Sequence, residues 1–495
     1  MKIAKISIEN YKIFKGKHDF DIKSNLIFFV GENNTGKTAA FEAVNFVKAG
    51  LPKEMKVSDV KNKFSSSSDH VTCTITFIEN IKEVIKDFSE SKYEPYVFEK
   101  DGAETLIVQR STEERTVKQG GKDKNLNAKT VTLWNNETKQ FENPSGIDTV
   151  INTLFEAQFI WADTDPFDVS DFGTTKICGR LLADAVGDFF EGDLWKDFER
   201  VHKKTFHESE GSLSKRTKKI EEELGQILLE QYGKIDVTFN FSMPESSTFF
   251  KAGGVTVHDG FVENKLQEKG TGMQRAVALA MIQVYAKHLA KHPTDVDKVK
   301  PIFFFIDEPE ICLHPRAQKQ LVDALVSVSS KQQIFISTHS PYLLRSFVAP
   351  KHDFFIFERN RDNVKLTNSV QMNLFKWSPS WGEINFKAYG LCTLEFHDEL
   401  YGTLHEKFIS LASDEEEAKR RSYLKIFDLE FLASNDINKQ NKNWSELRGG
   451  TQQPTYKVSM TTFIRNKMHH PESAQTDTYI DADFDNSIKY LLSLL

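Results

Sequence analysis

Residues 31–38 read G-E-N-N-T-G-K-T, and they lie between the apolar run 26–30 and a helix-like stretch that begins near Ala39. A strand, a glycine-containing loop and a helix N-terminus therefore follow one another. Backbone N–H groups of such a loop can point at a triphosphate, and the helix dipole behind it favours negative charge. Lys37 would reach the β- and γ-phosphates, and the Thr38 hydroxyl would hold Mg²⁺. The loop predicts an ATP-binding site made of Gly31, Asn33, Asn34, Gly36, Lys37 and Thr38.

A second segment supplies the carboxylates that such a site needs. Residues 301–306 are almost entirely apolar, as in a strand buried on both faces of a parallel sheet, and Asp307-Glu308-Pro309-Glu310 follows them. Ligands of α/β sheets bind at the carboxyl ends of the strands. We predict that Asp307 holds Mg²⁺, directly or through a bound water, and that Glu308 is the base for the attacking water.

Two further segments favour an ATPase that works as a dimer. Residues 269–275, K-G-T-G-M-Q-R, precede the helical run 276–289, so Thr271 and its flanking glycines present a second helix N-terminus. One chain does not easily place two helix N-termini on the same phosphate. His339 follows the apolar strand 333–337, and its imidazole could contact a γ-phosphate there.

These four segments resemble the Walker A, signature, Walker B and switch-histidine motifs of ABC-type ATPases of the RecF, SMC and OLD (overcoming lysogenization defect) group. The resemblance implies an α/β P-loop head, two copies of which sandwich two molecules of ATP. It assigns Asp307 to Mg²⁺, Glu308 to hydrolysis and His339 to the γ-phosphate. A glutamine that reaches Mg²⁺ is also expected, and Gln158 is the candidate. The signature residues that would grip the ATP of the opposite subunit are Thr271, Gly272 and Gln274.

Composition sets broader limits. With 495 residues and 39% apolar composition, the chain can bury a large core and hold roughly two or three domains. A net charge of −7 gives no global electrostatic case for nucleic-acid binding, so such binding would depend on local patches. The four cysteines are widely spaced and fit a reducing cytoplasm rather than a disulfide framework or zinc site: Cys73, Cys178, Cys312 and Cys392. No apolar run is long enough to span a membrane.

We expect the ATPase head to occupy residues 1–370. Alternating apolar segments predict an antiparallel strand layer, a helical pattern predicts a short insertion over about 175–233, and the end of the head reads as a hairpin. Residues 110–129 read as a polar loop whose basic side chains either contact phosphates or are solvated. Those side chains are Arg115, Lys118, Lys122, Lys124 and Lys129. The predicted strands of the head beyond its P-loop are 71–77, 105–109, 129–134, 236–242, 255–258, 354–358 and 363–367.

Residues 371–495 read as an all-helical domain with a polar linker at 435–454. Arg465 and His470 are five residues apart, which resembles the R-x4-H motif of HEPN-type domains, many of them metal-independent RNases. Cations near the end of a helix also favour its dipole, so docking or dimerisation is the competing interpretation. The predicted helices are 384–413, 414–433, 456–470 and 483–495.

Residues 481–485, D-A-D-F-D, look like the paired aspartates of a Toprim nuclease, the domain carried by full OLD proteins. Only ten residues follow them and the preceding segments are helical, so the sheet that would hold the carboxylates is missing. We therefore expect any nuclease to be a separate subunit.

The size and order of domains resemble the ATPase subunits of two-gene bacterial antiphage systems, AriA of PARIS and PtuA of Septu, whose partners are a Toprim and an HNH nuclease. The resemblance implies a regulatory ATPase, using ATP and Mg²⁺, that forms a homodimer or a higher oligomer, answers a phage-derived trigger or DNA, and controls a nuclease effector. A RecF- or SMC-like DNA-repair ATPase and an ATP-gated HEPN ribonuclease are the alternatives.

Overall fold

The structure is a computed structural model of the chain. It describes residues 1–88, 91–154, 156–162, 178–179, 182, 186–233, 235–244, 248, 253–289, 301–311, 313–345, 347–348, 351–434, 439–473 and 477–495. The chain folds into two compact units. Met1–Ala162, Lys300–Glu310 and Ser329–Leu495 form the first unit, and Asp163–Val299 with Ile311–Val328 forms the second.

The described strands are, in chain order, β1 (Lys2–Glu9), β2 (Lys17–Asp21), β3 (Leu26–Val30), β4 (Thr72–Ile78), β5 (Phe98–Lys100), β6 (Ala103–Ser111), β7 (Arg115–Gln119), β8 (Lys122–Leu126), β9 (Thr132–Asn135), β10 (Gln140–Glu142), β11 (Glu156–Ile160), β12 (Thr256–His258), β13 (Glu263–Lys265), β14 (Ile302–Asp307), β15 (Gln333–Thr338), β16 (Asp353–Asn360), β17 (Asn363–Asn368), β18 (Lys442–Trp444), β19 (Leu447–Arg448), β20 (Thr451–Gln452) and β21 (Tyr456–Val458).

The described α-helices are α1 (Lys37–Ala49), α2 (Val57–Val60), α3 (Ile81–Phe88), α4 (Ile147–Leu154), α5 (Asp193–Lys203), α6 (Leu213–Gln231), α7 (Thr271–Leu289), α8 (Pro315–Ser329), α9 (Pro341–Leu344), α10 (Trp381–Tyr389), α11 (Leu394–Ser410), α12 (Glu415–Arg421), α13 (Leu424–Glu430), α14 (Met460–His469) and α15 (Asp481–Leu494). No helix in these described stretches is both long and apolar enough to cross a membrane.

A six-stranded sheet carries the P-loop. Its order is β11-β14-β15-β3-β16-β17, and all neighbours are parallel except β16 and β17, which form the predicted hairpin. Every residue of β3, β14 and β15 is buried. Strands covered on both faces need apolar side chains throughout, and the continuous hydrophobic runs in the sequence reflect this.

An antiparallel sheet completes the head, with strand order β10-β9-β6-β4-β1-β2 and β5 also paired to β6. Helix α1 packs against strands of both sheets. Its Phe41 ring lies 5.3 Å from the ring centroid of Phe29 and 5.4 Å from that of Phe305. From β6, Arg110 donates through Nε to the carbonyl of Val47 near the end of α1. The predicted α/β head with an antiparallel layer is confirmed.

The prediction of a polar loop over 110–129 is wrong. These residues contain the hairpin β7–β8, joined at Gly120 and Gly121 with φ of +55° and +78°. A two-residue turn with positive φ at both positions suits glycine pairs and matches strand twist, so the Gly-Gly pair was the missed signal. Two of its basic side chains have protein partners, because Arg115 pairs with Glu113 and Lys124 donates to the carbonyl of Asn143.

Two other predictions need correction. Residues 236–242 do not form a strand in the described part of the chain. The region 371–495 is helical, but it also holds the two-stranded pairs β18–β21 and β19–β20. The β19–β20 turn lies within the predicted linker, at Gly449 and Gly450, both with positive φ. Local pairing across such a turn overrides the polar composition that had suggested a linker.

In the C-terminal region, α11, α13 and α15 bury one apolar cluster. Helix α10 begins with Ser380, whose hydroxyl accepts from the backbone N–H of Glu383, and ends at Gly390 in the left-handed conformation. Gly382 lies against α11: a Cβ added there would be 2.7 Å from the Cβ and 2.9 Å from the backbone nitrogen of Phe396.

Within the described residues, no disulfide is formed by Cys73, Cys178 or Cys392. Cys312 lies outside the described residues.

We expect Gly382→Ala to destabilise the protein by about 1–3 kcal/mol, because the new methyl group meets backbone atoms that cannot rotate away. The matched control is Gly402→Ala on α11, where nothing lies within 4 Å of the added Cβ. That change should be neutral or stabilise by up to about 1 kcal/mol, because alanine favours helix. Urea unfolding measures both, and equal effects of the two changes would contradict the close helix contact.

Candidate nucleotide-binding site

The loop after β3 has the shape of a phosphate cradle. Gly31 has φ +150°, and a Cβ there would lie 2.5 Å from the carbonyl oxygen of Phe357. Gly36 has φ +107°, and its Cβ would lie 2.6 Å from Cγ2 of Ile13. Gly36 is also the residue that precedes the first turn of α1. Only glycine therefore allows this loop to close on the helix N-terminus, where backbone N–H groups bind anions.

Lys37 lies inside this loop and is 3% exposed. Its Nζ donates to the carbonyls of Gly31 at 3.0 Å and Glu32 at 2.9 Å. Burial lowers the pKa of Lys37 to about 8, against the opposing effect of the nearby carboxylates, chiefly Glu308 and Asp307. The ammonium is therefore placed to exchange carbonyl partners for phosphate oxygens, which bind it more strongly.

Thr38 and Asp307 form the candidate Mg²⁺ position. The Thr38 hydroxyl lies 3.1 Å from one Asp307 carboxylate oxygen and 3.0 Å from the other. Ser337 also donates to Asp307, and the backbone N–H of Ala162 is a further partner. Burial raises the pKa of Asp307, which a bound cation would reverse. A hydroxyl and a carboxylate facing a phosphate loop are the oxygen donors that fit Mg²⁺ together with nucleotide phosphates.

Glu308 and His339 face each other beside the loop. His339 Nε2 lies 2.7 Å from Glu308 Oε1, and its Nδ1 lies 2.8 Å from the carbonyl oxygen of Gly31. Glu308 has φ +46°, and its backbone N–H donates to the carbonyl and hydroxyl oxygens of Ser337, each at 3.1 Å. Both side chains are thus held at the end of β14 and β15, within reach of the P-loop backbone.

Strand register explains why these distant residues meet. Asp307 pairs with Ser337 across β14 and β15, and Thr338 pairs with Val30 across β15 and β3. The three strands are parallel and adjacent, so their carboxyl ends coincide. Lys37, Thr38, Asp307, Glu308 and His339 therefore converge at one edge of the sheet.

Glu310 is a residue of this site to which sequence reasoning gave no role. One carboxylate oxygen accepts from the Thr338 hydroxyl at 2.7 Å and from the backbone N–H groups of His339 at 2.8 Å and Ser340 at 3.1 Å. Burial raises the pKa of Glu310. The carboxylate fixes the loop that carries His339. Its signal in the sequence was a third acidic residue in the Asp307-Glu308-Pro309-Glu310 segment. The Thr-His-Ser segment at the end of the next strand supplies the hydrogen-bond donors.

The structure does not bring Gln158 to this position. Gln158 pairs with Phe304, three residues before Asp307 on β14, and its amide donates to Glu156 at 2.8 Å. Ala162, after the end of β11, is the residue of this segment that meets Asp307. A glutamine inside the strand lies too far along β11 to share the cation with Asp307, since each residue advances about 3.3 Å.

The signature segment belongs to the second unit. The side chain of Thr271, the first residue of α7, is exposed. The Gln274 amide donates to the carbonyls of Gln267 at 3.0 Å and Lys269 at 2.7 Å, so it closes the preceding turn. Lys269 itself pairs with Asp259 at 2.8 Å. Thr271 and Gly272 thus stand at an ordered helix start, whereas the Gln274 side chain is engaged by its own loop.

The C-terminal candidates lie elsewhere in the first unit. Arg465 is on α14 and His470 follows that helix, and both line a cavity of about 490 Å³. Asp481 and Asp483 stand in the first turn of α15, where Asp483 accepts from the backbone N–H of Ile480 at 3.1 Å. These aspartates occupy a helix N-terminus, which carboxylates favour, and not a strand end.

We expect ATP affinity to fall as the pH rises above about 8. Phosphates stabilise the Lys37 ammonium, so binding is independent of this group below its pKa in the free protein and requires proton uptake above it. Lys37→Ala should weaken ATP binding on the order of a hundredfold or more and remove this pH dependence. Titration calorimetry across that range measures both.

The control for this experiment is Lys15→Ala, which removes a surface lysine paired with Asp362. It should leave affinity and its pH dependence unchanged. Undiminished ATP affinity in Lys37→Ala would show that the loop is not the nucleotide site.

Comparisons with known proteins agree with this geometry. A family model described as an AAA ATPase domain matches residues 174–344, and one described as an AAA domain matches residues 5–231. The Old nuclease of Escherichia phage P2 is 27% identical over 355 residues, which make up 70% of this chain and 57% of the phage protein. The chain thus spans little more than half the length of this relative.

Solved SMC heads are among the structural neighbours. The SMC head bound to the C-winged helix domain of ScpA gives a TM-score of 0.44 at 16% identity, covering 74% of this chain and 97% of that one. The SMC head domain from Thermotoga maritima gives 0.35 at 12% identity, covering 74% and 98%. The ATPase assignment comes from the sequence matches and from the convergence of the P-loop, Asp307-Glu308 and His339 described above. The chain is therefore an ATPase that is similar in sequence to the Old nuclease over 70% of its length.

Proposed function

We propose that this chain is the ATP-binding and ATP-hydrolysing regulatory subunit of a two-component antiphage system, working in the cytoplasm as a head-to-head homodimer. Its nucleotide state would control a separate nuclease of Toprim or HNH type in response to a phage-derived trigger or DNA. The observation that carries this proposal is the convergence of Lys37, Thr38, Asp307, Glu308 and His339 at one edge of the parallel sheet.

The chemistry follows from the positions of these groups. Lys37 and the loop N–H groups would bind the phosphates, while Thr38 and Asp307 would hold Mg²⁺, which supplies neutralisation of developing phosphate charge. Glu308 would accept a proton from the attacking water. His339 now contacts Glu308 and the Gly31 carbonyl, so it would turn from these partners toward the γ-phosphate. Glu310 would hold the His339 backbone in place while the His339 side chain turns.

The dimer is proposed from the signature segment. Thr271 is exposed and Gly272 is half-buried at the start of a long helix, and such a terminus favours phosphate. A second copy would place this terminus over the γ-phosphate bound by Lys37. ATP would then join two heads, and hydrolysis would release them.

Contacts behind His339 support a regulatory role. The Trp381 indole on α10 donates to the carbonyl of Pro341 at 2.9 Å, and the Arg345 guanidinium lies 4.6 Å from the Trp381 ring. The Tyr389 hydroxyl reaches the carbonyl of Thr338 at 3.5 Å. A movement of the His339 loop would therefore act directly on α10, the first helix of the C-terminal region, which gives nucleotide state a route to a bound partner.

A separate nuclease subunit agrees with two observations. The Old nuclease of phage P2, a relative longer than the part matched here, is named as a nuclease. In this chain the candidate Toprim aspartates are helix-start residues, with Asp483 capping its own helix. We therefore assign cleavage to a partner and regulation to this chain.

Glu308→Gln should bind ATP and lose at least most of its turnover, because an amide fits the pocket but cannot take a proton from water. ATP should then hold two heads together as a stable dimer. Light scattering with ATP, ADP and no nucleotide measures this, alongside phosphate release. A Glu308→Gln protein that hydrolyses ATP at the normal rate would remove Glu308 from the mechanism.

Adding Gly272→Arg to Glu308→Gln tests the role of the signature in trans. The bulky cation should block the facing head and abolish the ATP-dependent dimer, while each head still binds ATP through Lys37. The control is Gly402→Ala in the same background, which should dimerise normally. Retention of the dimer in the Gly272→Arg double variant would argue against the composite site.

Purification from the native operon tests the two-component assignment. We expect a nuclease subunit to copurify in stoichiometric amount, and its retention to differ between Glu308→Gln, which holds ATP, and Lys37→Ala, which binds ATP far more weakly. Native mass spectrometry identifies the subunits. A particle that contains only this chain, with no nuclease under any nucleotide condition, would overturn the regulatory assignment.

A further inference from the structure

The C-terminal region contains a cavity that is separate from the nucleotide site. It has a volume of about 490 Å³ and lies between the start of α13, the β18–β21 pair and α14. Sites for small molecules typically occupy about 300–1,000 Å³. The cavity is therefore large enough for a ligand of nucleotide size.

Its walls carry two basic side chains, Lys425 and Arg465, and one acidic one. In the described part of the chain Arg465 forms no ion pair; its Nη1 lies 3.4 Å from Asn466 Oδ1, and its Nε has no hydrogen-bond partner. Lys425 likewise forms no ion pair among the described residues, and its ammonium lies 5.3 Å from the centre of the Tyr456 ring. Glu446 is the acidic residue of the lining, and it accepts from the Tyr456 hydroxyl at 3.3 Å. A partly buried guanidinium without a carboxylate favours an anion.

Aromatic side chains line the same space. Tyr456 lies below the Lys425 ammonium, and Tyr423 is 60% exposed. The Trp444 side chain is fully buried, and its indole Nε1 has no hydrogen-bond partner among the residues that the structure describes. Buried indole N–H groups normally find an acceptor, so this wall has an unused donor as well as flat rings. Rings beside cations suit a ligand that joins a planar base to a phosphate.

The adjacent histidines are not needed for this binding. His469 is engaged outside the cavity by Asp398 at 2.7 Å. His470 lines the cavity but is half exposed and lies 3.4 Å from Glu472. Arg465 is therefore the central group, and it is held in place by packing on the Tyr401 ring at 5.8 Å.

We infer that this cavity binds a mononucleotide, with the phosphate on Arg465 and Lys425 and the base against Tyr423 or Tyr456. The site is independent of the P-loop. The cavity lies in the C-terminal region, which contacts the head through α10. A ligand bound there would therefore be in a position to act as a sensor input.

The test uses the full chain carrying Lys37→Ala, so that nucleotide binding at the head does not contribute. Equilibrium dialysis with AMP, UMP and inorganic phosphate should show saturable binding of one nucleotide per chain, tighter than phosphate alone. Arg465→Gln should weaken it about ten- to a hundredfold, and Lys425→Gln about three- to tenfold. Arg420→Gln is the matched control, because Arg420 pairs with Glu430 and does not line the cavity.

Lys425 is exposed, so Lys425→Gln remains informative if Arg465→Gln fails to fold. The inference is overturned if the folded Lys37→Ala chain binds neither mononucleotide at millimolar concentration, or if binding is unchanged in Lys425→Gln and Arg465→Gln. Binding of single-stranded RNA without binding of mononucleotides would also overturn it. Failure of this test leaves the ATPase proposal intact, since the two use different residues.

Discussion

The site depends on the parallel pairing of β3, β15 and β14. The register that joins Val30 to Thr338 and Ser337 to Asp307 places three strand ends side by side. Each end carries different chemistry: a phosphate loop, a histidine loop and a pair of carboxylates. A shift of one residue in either pairing would turn the wrong side chains toward the nucleotide, because side chains alternate between faces.

This arrangement concentrates charge where little water reaches it. Burial raises the pKa of Asp307 and Glu310 and lowers that of Lys37. Each group is stabilised by neighbours that a nucleotide would displace or supplement: the Lys37 ammonium by loop carbonyls, Asp307 by hydroxyls and Glu310 by backbone N–H groups. Mg²⁺ is positive and the phosphates are negative. Both would shift the pKa values of this cluster strongly, because charges interact more strongly where the effective dielectric constant is low.

The C-terminal region is attached directly behind the histidine loop. Trp381 and Tyr389 both reach backbone carbonyls of the segment around His339, and Gly382 allows α10 to approach α11 at backbone distance. Such a close contact transmits displacement better than a flexible connection, because packed elements move as discrete bodies. The same region holds the basic, aromatic cavity around Arg465.

The sequence by itself determined the head. Glycines at residues 31 and 36, continuous apolar runs and the residues that follow them specify a P-loop and buried parallel strands through local rules, and the motifs at their ends name the chemistry. Glycine pairs in the sequence also encode the β7–β8 and β19–β20 turns. The polar composition of these segments had suggested a loop and a linker instead. Tertiary structure alone decided which carboxylate holds the histidine loop, because Glu310 acts on residues 28 to 30 positions later through strand pairing. Tertiary structure also places Gln158 too far along β11 to reach the cation position at Asp307. It places Arg465 at the wall of a cavity, where it has no ion-pair partner in the described chain. These outcomes depend on distances between segments far apart in sequence, which periodicity and spacing along one segment do not contain.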